Sequence, residues 1–266
     1  MSDAAKGQVN SSAAQVYEEF FVPALFAEPA AKIVNAAGVS SGQNVLDVAC
    51  GTGVLTRASA KAAGEGGNVI GLDVNADMLT VAREQAPEID WREGRAEALP
   101  FEDDKFDAVL SQFGLMFFED RVAALQEMAR VAKPSGIIAV AVWDSLESSP
   151  GYAAMAGLLE RMFGQEAANA LRAPFCLGDA QELLALFRDA GLGSARVFPL
   201  EVTARFPSLE DWVRTDVRGW TLSDMIDDQQ YGELLEAAED ALSGFVTPNG
   251  SVAFSSPAQL VMTLNN

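Results

Sequence analysis

Histidine is missing from this chain altogether, and cysteine appears only twice in 266 residues, at Cys50 and Cys176. Without histidine, and with two thiols at no metal-like spacing, a structural zinc site has no basis. Any general base must then be a carboxylate, a tyrosine, a lysine, a thiolate or water. So few cysteines fit a reduced compartment, and the cytoplasm is the expected location. Basic residues are scarce as well: 18 Lys and Arg stand against 38 Asp and Glu, a formal charge of −20. A field of that sign repels polyanions, which argues against nucleic acid and anionic membrane surfaces as partners. Long apolar runs are also lacking. Residues 136–143, "GIIAVAVW", fall far short of the ~20 residues a membrane span needs. The first fifteen residues show neither the basic nor the apolar region of a secretory signal.

What the chain does contain is a regular alternation up to about residue 145. Short apolar runs at 44–49, 68–73, 89–93, 106–112 and 136–143 read as strands, with amphipathic stretches between them. In the segment 119–134, Val122, Leu125, Met128 and Ala132 recur at helical spacing, and Pro134 with Gly136 is expected to stop that helix. Strands alternating with helices of this length imply parallel pairing through right-handed crossovers, hence an α/β, doubly wound sheet. A helix over about 13–37 is expected to precede it, broken or kinked at Pro23. After Trp143 the rhythm changes. Residues 145–178 and 206–247 read as helical insertions forming a lid over one edge of the sheet. Between them 194–206 alternates like one strand, and 251–264 is expected to close the sheet.

The stretch 44–55, "NVLDVACGTGVL", carries the most chemistry. In open α/β sheets a ligand sits beyond the carboxyl ends of the strands, where the strand order reverses. Gly51 and Gly53 let main chain approach a ligand closely. Asp73 ends the second strand twenty residues past Gly53, where an acid accepts the hydroxyls of a ribose. That much also suits a nicotinamide dinucleotide. Two details do not: the third glycine of a dinucleotide fingerprint falls on Thr56, and Asp47 would repel a pyrophosphate. The same carboxylate suits a ligand with an ammonium and a sulfonium, which points to S-adenosylmethionine. A nicotinamide-dependent oxidoreductase and a non-catalytic cofactor-binding protein remain the alternatives at this point.

The motifs extend this reading. Residues 45–53, "VLDVACGTG", resemble the first motif of the class I S-adenosylmethionine-dependent methyltransferases, and 69–79, "VIGLDVNADML", resemble their second. Residues 94–120 and 127–143 are similar to the adenine-contact and fifth-strand regions of the ubiquinone/menaquinone methyltransferase-like branch. The resemblance covers roughly residues 40–145. It implies a Rossmann-like seven-stranded sheet, mostly parallel with an antiparallel last strand, plus helical lid insertions. One methyltransferase domain is then expected over 1–266, with 1–40 an N-terminal helical cover, 41–145 the cofactor-binding core and 146–266 lid helices and final strands. Carried over by position, Asp47, Ala49, Gly51 and Gly53 line the methionine moiety, and Asp73 holds the ribose. Val74, Met78, Ala96 and Glu97 surround the adenine, Gln112 borders the transferred methyl, and Tyr17 covers the cofactor. Ala49 stands where many relatives have a glycine.

The resemblance thus implies in-line displacement of a sulfonium methyl onto a small, partly apolar acceptor molecule. Sulfonium is a good leaving group, so alignment and exclusion of water account for most of the catalysis, and a chain without histidine can perform it. Where an acceptor needs deprotonation, Tyr17, Glu18 and Asp144 are the bases to test. No catalytic residue carries a motif of its own, and no metal is expected.

Overall fold

A computed structural model of the chain describes residues 11–218, 222 and 225–266. The chain enters through helix α1 (Ser11–Val16), a π-helical stretch (Tyr17–Phe26) and helix α2 (Ala27–Ala36). Pro23 sits inside the π-helical stretch. Proline cannot donate the usual helical hydrogen bond, and the wider turn accommodates that loss without ending the helix.

The alternating region follows as β1 (Asn44–Val48), α3 (Val54–Ala63), β2 (Asn68–Asp73), α4 (Ala76–Gln85), β3 (Asp90–Glu93), β4 (Phe106–Gln112), α5 (Arg121–Val131) and β5 (Ala132–Trp143). The remainder runs α6 (Pro150–Phe163), α7 (Gln165–Arg172), α8 (Ala180–Asp189), β6 (Arg196–Leu200), β7 (Thr203–Phe206), α9 (Leu209–Arg218), α10 (Asp228–Ala241), β8 (Val252–Ser255) and β9 (Ala258–Leu264). Five positions of the second expected insertion, 219–221, 223 and 224, lie outside the described residues.

Seven strands form one sheet in the order β3-β2-β1-β4-β5-β9-β6. The first five pair in parallel. The last strand in sequence, β9, runs antiparallel to both its neighbours, β5 and β6. Strand order steps one way from β1 to β3 and the other way from β4 onward. Right-handed crossovers therefore send α3 and α4 to one face and α5 to the other. With both faces covered the central strands become continuous apolar runs: Val45, Leu46, Val48, Ala108, Val109 and Leu110 have no exposed surface.

Three local expectations are corrected. Helix α5 ends at Val131, before Pro134, and β5 begins at once with Ala132. Proline drives the residue before it to extended backbone, so the helix stops early. Pro134 and Gly136 then occupy an irregular pairing, where Phe106 matches Ala132 but Ala108 matches Ile137. The single strand expected at 194–206 is two, β6 in the main sheet and β7 in a two-stranded sheet with β8. Likewise 251–264 divides into β8 and β9 around Ser256 and Pro257, and only β9 closes the main sheet.

Candidate functional site

The strand order reverses between β1 and β4, and the carboxyl ends of β1, β2 and β4 meet there. Their terminal residues build a cavity of about 470 Å³. The turn after β1 bends through left-handed backbone at Ala49 (φ 60°), Gly51 (φ 55°) and Gly53 (φ 91°). Ala49 is strained there, because a Cβ disfavours that region.

Asp73 ties this turn to the end of β2. Its Oδ2 accepts from the Gly51 amide at 2.8 Å, and its Oδ1 accepts from the Asn75 amide at 2.8 Å. Burial raises the pKa of Asp73, and hydrogen bonds from the Asn75, Gly51 and Val74 amides pull it back. Asn75 in turn caps α4, its side chain accepting from the Asp77 and Met78 amides.

Asp47 is wholly buried on β1. Its Oδ2 accepts from Thr56 Oγ1 at 2.6 Å, whereas Oδ1 has no hydrogen-bond partner. Burial pushes its pKa up to about 7; the Thr56 hydroxyl works against that and the Asp73 charge adds to it. Thr56, the misfit in a dinucleotide fingerprint, thus serves as the clamp on this carboxyl. Gln112, ending β4, is similar. Its Nε2 donates to the Phe26 carbonyl at 3.1 Å, and its Oε1 is buried without a partner.

Of the eleven residues singled out in the sequence, ten line this cavity: Tyr17, Asp47, Ala49, Gly51, Asp73, Val74, Met78, Ala96, Glu97 and Gln112. The eleventh, Gly53, lies outside the lining. A Cβ built on it would fall 2.2 Å from the Trp91 ring, so the glycine admits an indole from β3 under the turn. Glu97 lines the cavity while its Oε1 accepts from the Glu119 amide at 2.9 Å, and Arg95 lies 3.4 Å from its Oε2. Tyr17 stacks on Phe26 with ring centroids 5.0 Å apart. Burial foremost, then the Asp73 charge, raises its pKa, so it remains a protonated phenol.

The other proposed bases are committed elsewhere. Glu18 pairs with Arg57 at 2.7 Å, and Asp144 accepts from the Ser145 amide at 2.6 Å. Neither lines the cavity. Cys50 does, but burial and the Asp73 and Asp47 charges push its thiol pKa well up, which removes its nucleophilic form.

Sequence reasoning missed Phe113, which lies in left-handed backbone (φ 57°) and stacks on Trp143 at 3.8 Å, with the rings 3° from parallel. The signal was there in "SQFG": Gly114 follows, where a Cβ would fall 2.6 Å from that of Ala49. Phe117 and Phe118 of "LMFFED" face the cavity, whereas Leu115 and Met116 belong to the core. Phe113, Phe117 and Tyr17 also line a second cavity of about 60 Å³, continued by Phe26, Trp143 and Phe175. The two spaces share a wall of aromatic rings.

The donor set fits one kind of ligand. Asp47 Oδ1 and Gln112 Oε1 are buried acceptors in want of donors, beside a second carboxylate. A cationic group supplies what they lack, and a pyrophosphate would add to the repulsion. Among the described residues no group of side chains is suited to a metal ion, and no helix is long and apolar enough to cross a membrane.

Comparison with known proteins agrees with this geometry. Residues 46–140 match a family described as a methyltransferase domain. The demethylmenaquinone methyltransferase of Bacillus licheniformis is 36% identical over 182 residues, 63% of this chain and 78% of that protein. The ubiquinone/menaquinone biosynthesis C-methyltransferase of Pectobacterium atrosepticum is 44% identical over 113 residues, 40% of this chain and 45% of that protein. In that second case the match spans less than half of the relative's own length. Among solved structures, phosphoethanolamine N-methyltransferase 2 of Haemonchus contortus, in complex with phosphomonomethylethanolamine and S-adenosylhomocysteine, superposes with a TM-score of 0.61 at 15% identity, over 96% of this chain and 57% of that one.

Proposed function

The chain belongs to the class I S-adenosylmethionine-dependent methyltransferases, in the ubiquinone/menaquinone methyltransferase-like branch, and from that premise we propose that it methylates a small aromatic acceptor of quinol type by in-line displacement. The observation that carries the reading is the pairing of two spaces. One carries buried carboxylates and orphaned buried acceptors; the other, sharing Phe113, Phe117 and Tyr17 with it, is largely apolar and rich in aromatic rings.

In this reading Asp73 holds the ribose hydroxyls with lone pairs its amide donors leave open. Val74, Met78, Ala96 and Glu97 enclose the adenine. Ala49 and Gly51 present bare main chain to the methionine, and Asp47 with Gln112 faces its charged end. Gly53 acts one step removed, by seating Trp91 beneath the turn. When bound, S-adenosylmethionine supplies a methyl group already activated by its sulfonium. The chain's own part is to align an acceptor against that group and keep water away. Positioning of this kind is worth ~7–11 kcal/mol in well-oriented cases. Tyr17 and the aromatic wall exclude solvent, and α6, α7, α9 and α10 act as the lid. The names of the relatives make reduced naphthoquinones the first acceptors to try.

The test has two arms. Calorimetric titration should show S-adenosylmethionine binding and no NADH binding. Incubation with isotopically labelled methyl donor and 2-methyl-1,4-naphthohydroquinone, followed by mass spectrometry, should give a labelled product. Donor binding without any labelled product from naphthoquinols or simpler phenols would refute the acceptor class. Absence of donor binding would refute the site.

A further inference from the structure

The second cavity has one feature that its aromatic lining does not explain. Asp216, on α9, is 2% exposed and lines it, yet neither carboxyl oxygen has a hydrogen-bond partner. Tyr152, on α6, lines the same space, and its hydroxyl is likewise buried and unpartnered. The Trp212 indole, one helical turn before Asp216, turns its N–H toward the carboxyl without reaching hydrogen-bond geometry. No ion pair among the described residues includes Asp216. Its neighbours on the helix are engaged elsewhere: Arg214 with Asp211 and the Phe20 ring, Arg218 with Asp228. Both groups carry a desolvation cost inside this apolar pocket, which the nearby Trp212 N–H offsets only in part for the carboxyl and nothing offsets for the Tyr152 hydroxyl. A ligand that supplies both a donor and an acceptor returns it.

We propose that Asp216 and Tyr152 form the polar end of the acceptor site, where they hydrogen-bond a neutral hydroxyl carried by an aromatic ring. The inference rests on the methyl-acceptor reading of this pocket and adds to it the residues that choose the acceptor. Burial pushes the Asp216 carboxyl well above the usual range, against a smaller opposing pull from Trp212; the net shift favours the neutral acid, a donor of one hydrogen bond and an acceptor of another. A hydroxyl matches that pair. A cation does not, because it would have to shed its water among Phe26, Trp143 and Phe175 and then meet an uncharged partner. The cavity, at about 60 Å³, takes one ring end of an acceptor, with the remainder reaching back past Phe113 toward the first cavity. Neither Asp216 nor Tyr152 lines that first cavity, so both position the acceptor from the side away from the donor.

The experiment uses the full chain saturated with S-adenosylhomocysteine and three single-ring probes of similar shape, 4-fluorophenol, 4-fluorotoluene and 4-fluorobenzylamine, followed by fluorine NMR. The wild-type protein should bind the phenol at least tenfold more tightly than the toluene, and the amine no better than the toluene. Asp216→Leu should abolish the preference for the phenol, Tyr152→Phe should reduce it several-fold, and Asp216→Asn, which keeps a donor and an acceptor, should retain most of it. Thermal melts of each variant confirm folding, and S-adenosylhomocysteine should bind all of them as it binds the wild type. Equal binding of phenol and toluene by the wild type, an undiminished preference in Asp216→Leu, or tighter binding of the amine would each overturn the proposal. Such results, obtained with cofactor binding intact, leave the donor site standing; loss of cofactor binding by the wild type is the separate failure of the parent reading.

Discussion

Asp47 offers the sharpest test of the donor site, because its burial makes the protein's affinity for a cation depend on pH. Its carboxyl, raised to about 7 by desolvation with a further contribution from Asp73, is close to half ionised at neutral pH. A unit positive charge brought within ~5 Å at an effective dielectric of ~20 is worth about 3 kcal/mol, or about two pKa units. The bound carboxyl then titrates near 5. Binding at pH 7 should release about half a proton, and binding at pH 6 about 0.8. Affinity for S-adenosylmethionine should rise about tenfold from pH 6 to pH 8, ~1.4 kcal/mol. Stability of the apoprotein moves the opposite way. The unfolded carboxyl ionises near 4 and the native one near 7, so between those values the native state holds the extra proton and stability falls as pH rises. Calorimetry in buffers of differing ionisation enthalpy counts the protons. Asp47→Asn is the reference: the cofactor's own amino group titrates against both proteins and cancels in the difference. If wild type and variant release equal numbers of protons, the carboxyl does not face the cationic end of the cofactor and the argument from its burial fails.

Four further outcomes follow from the geometry. Asp73→Ala removes a charged acceptor of two backbone amides and, on the proposed reading, of the ribose, and should weaken cofactor binding at least a hundredfold by calorimetry, at ~1.5–3 kcal/mol per charged hydrogen bond. Gly53→Ala puts a methyl into Trp91 and strains a left-handed residue, so chemical denaturation should show a loss of about 3 kcal/mol, part of which Trp91→Leu in the same chain restores. Ala49→Gly relieves the strain at φ 60° and should raise stability by up to ~1 kcal/mol in the same assay, since the gain is offset by glycine's freedom in the unfolded chain. Asp216→Leu removes a buried, unsatisfied carboxyl and should raise the melting temperature, the equivalent of ~1–3 kcal/mol; a strongly destabilised variant would show that the carboxyl supports the fold.

The parallel core was legible because its signals are local. Strands β1, β2 and β4 are short apolar runs with a polar residue at or one before the last position, and Asp47, Asp73 and Gln112 sit at spacings that any doubly wound sheet brings to one edge. Gly53 shows where such reading stops. A glycine beside a ligand and a glycine beside an indole look alike in sequence, and the deciding partner, Trp91, lies on another strand. The split of 194–206 was hidden for a similar reason. Alternation persists through Glu201 and Val202, while the change of partner from β9 to β8 is a tertiary event. Asp216 was invisible because its helix reads as an ordinary amphipathic pattern. A carboxyl pointing inward is distinguished from one pointing outward only when α9 is packed against the neighbouring elements.

The ring of Phe113 is a party wall. On one side lie the strand ends that carry Asp47, Asp73 and Gln112; on the other, most of the chamber is panelled by the π-helical entry and by segments that follow β5, among them Tyr152, Phe175 and Asp216. On the proposed reading, substitutions among those later segments retune what is methylated without disturbing what donates. A change at Phe113 itself alters both rooms at once, and such a scaffold diversifies by redecorating one chamber while leaving the partition alone.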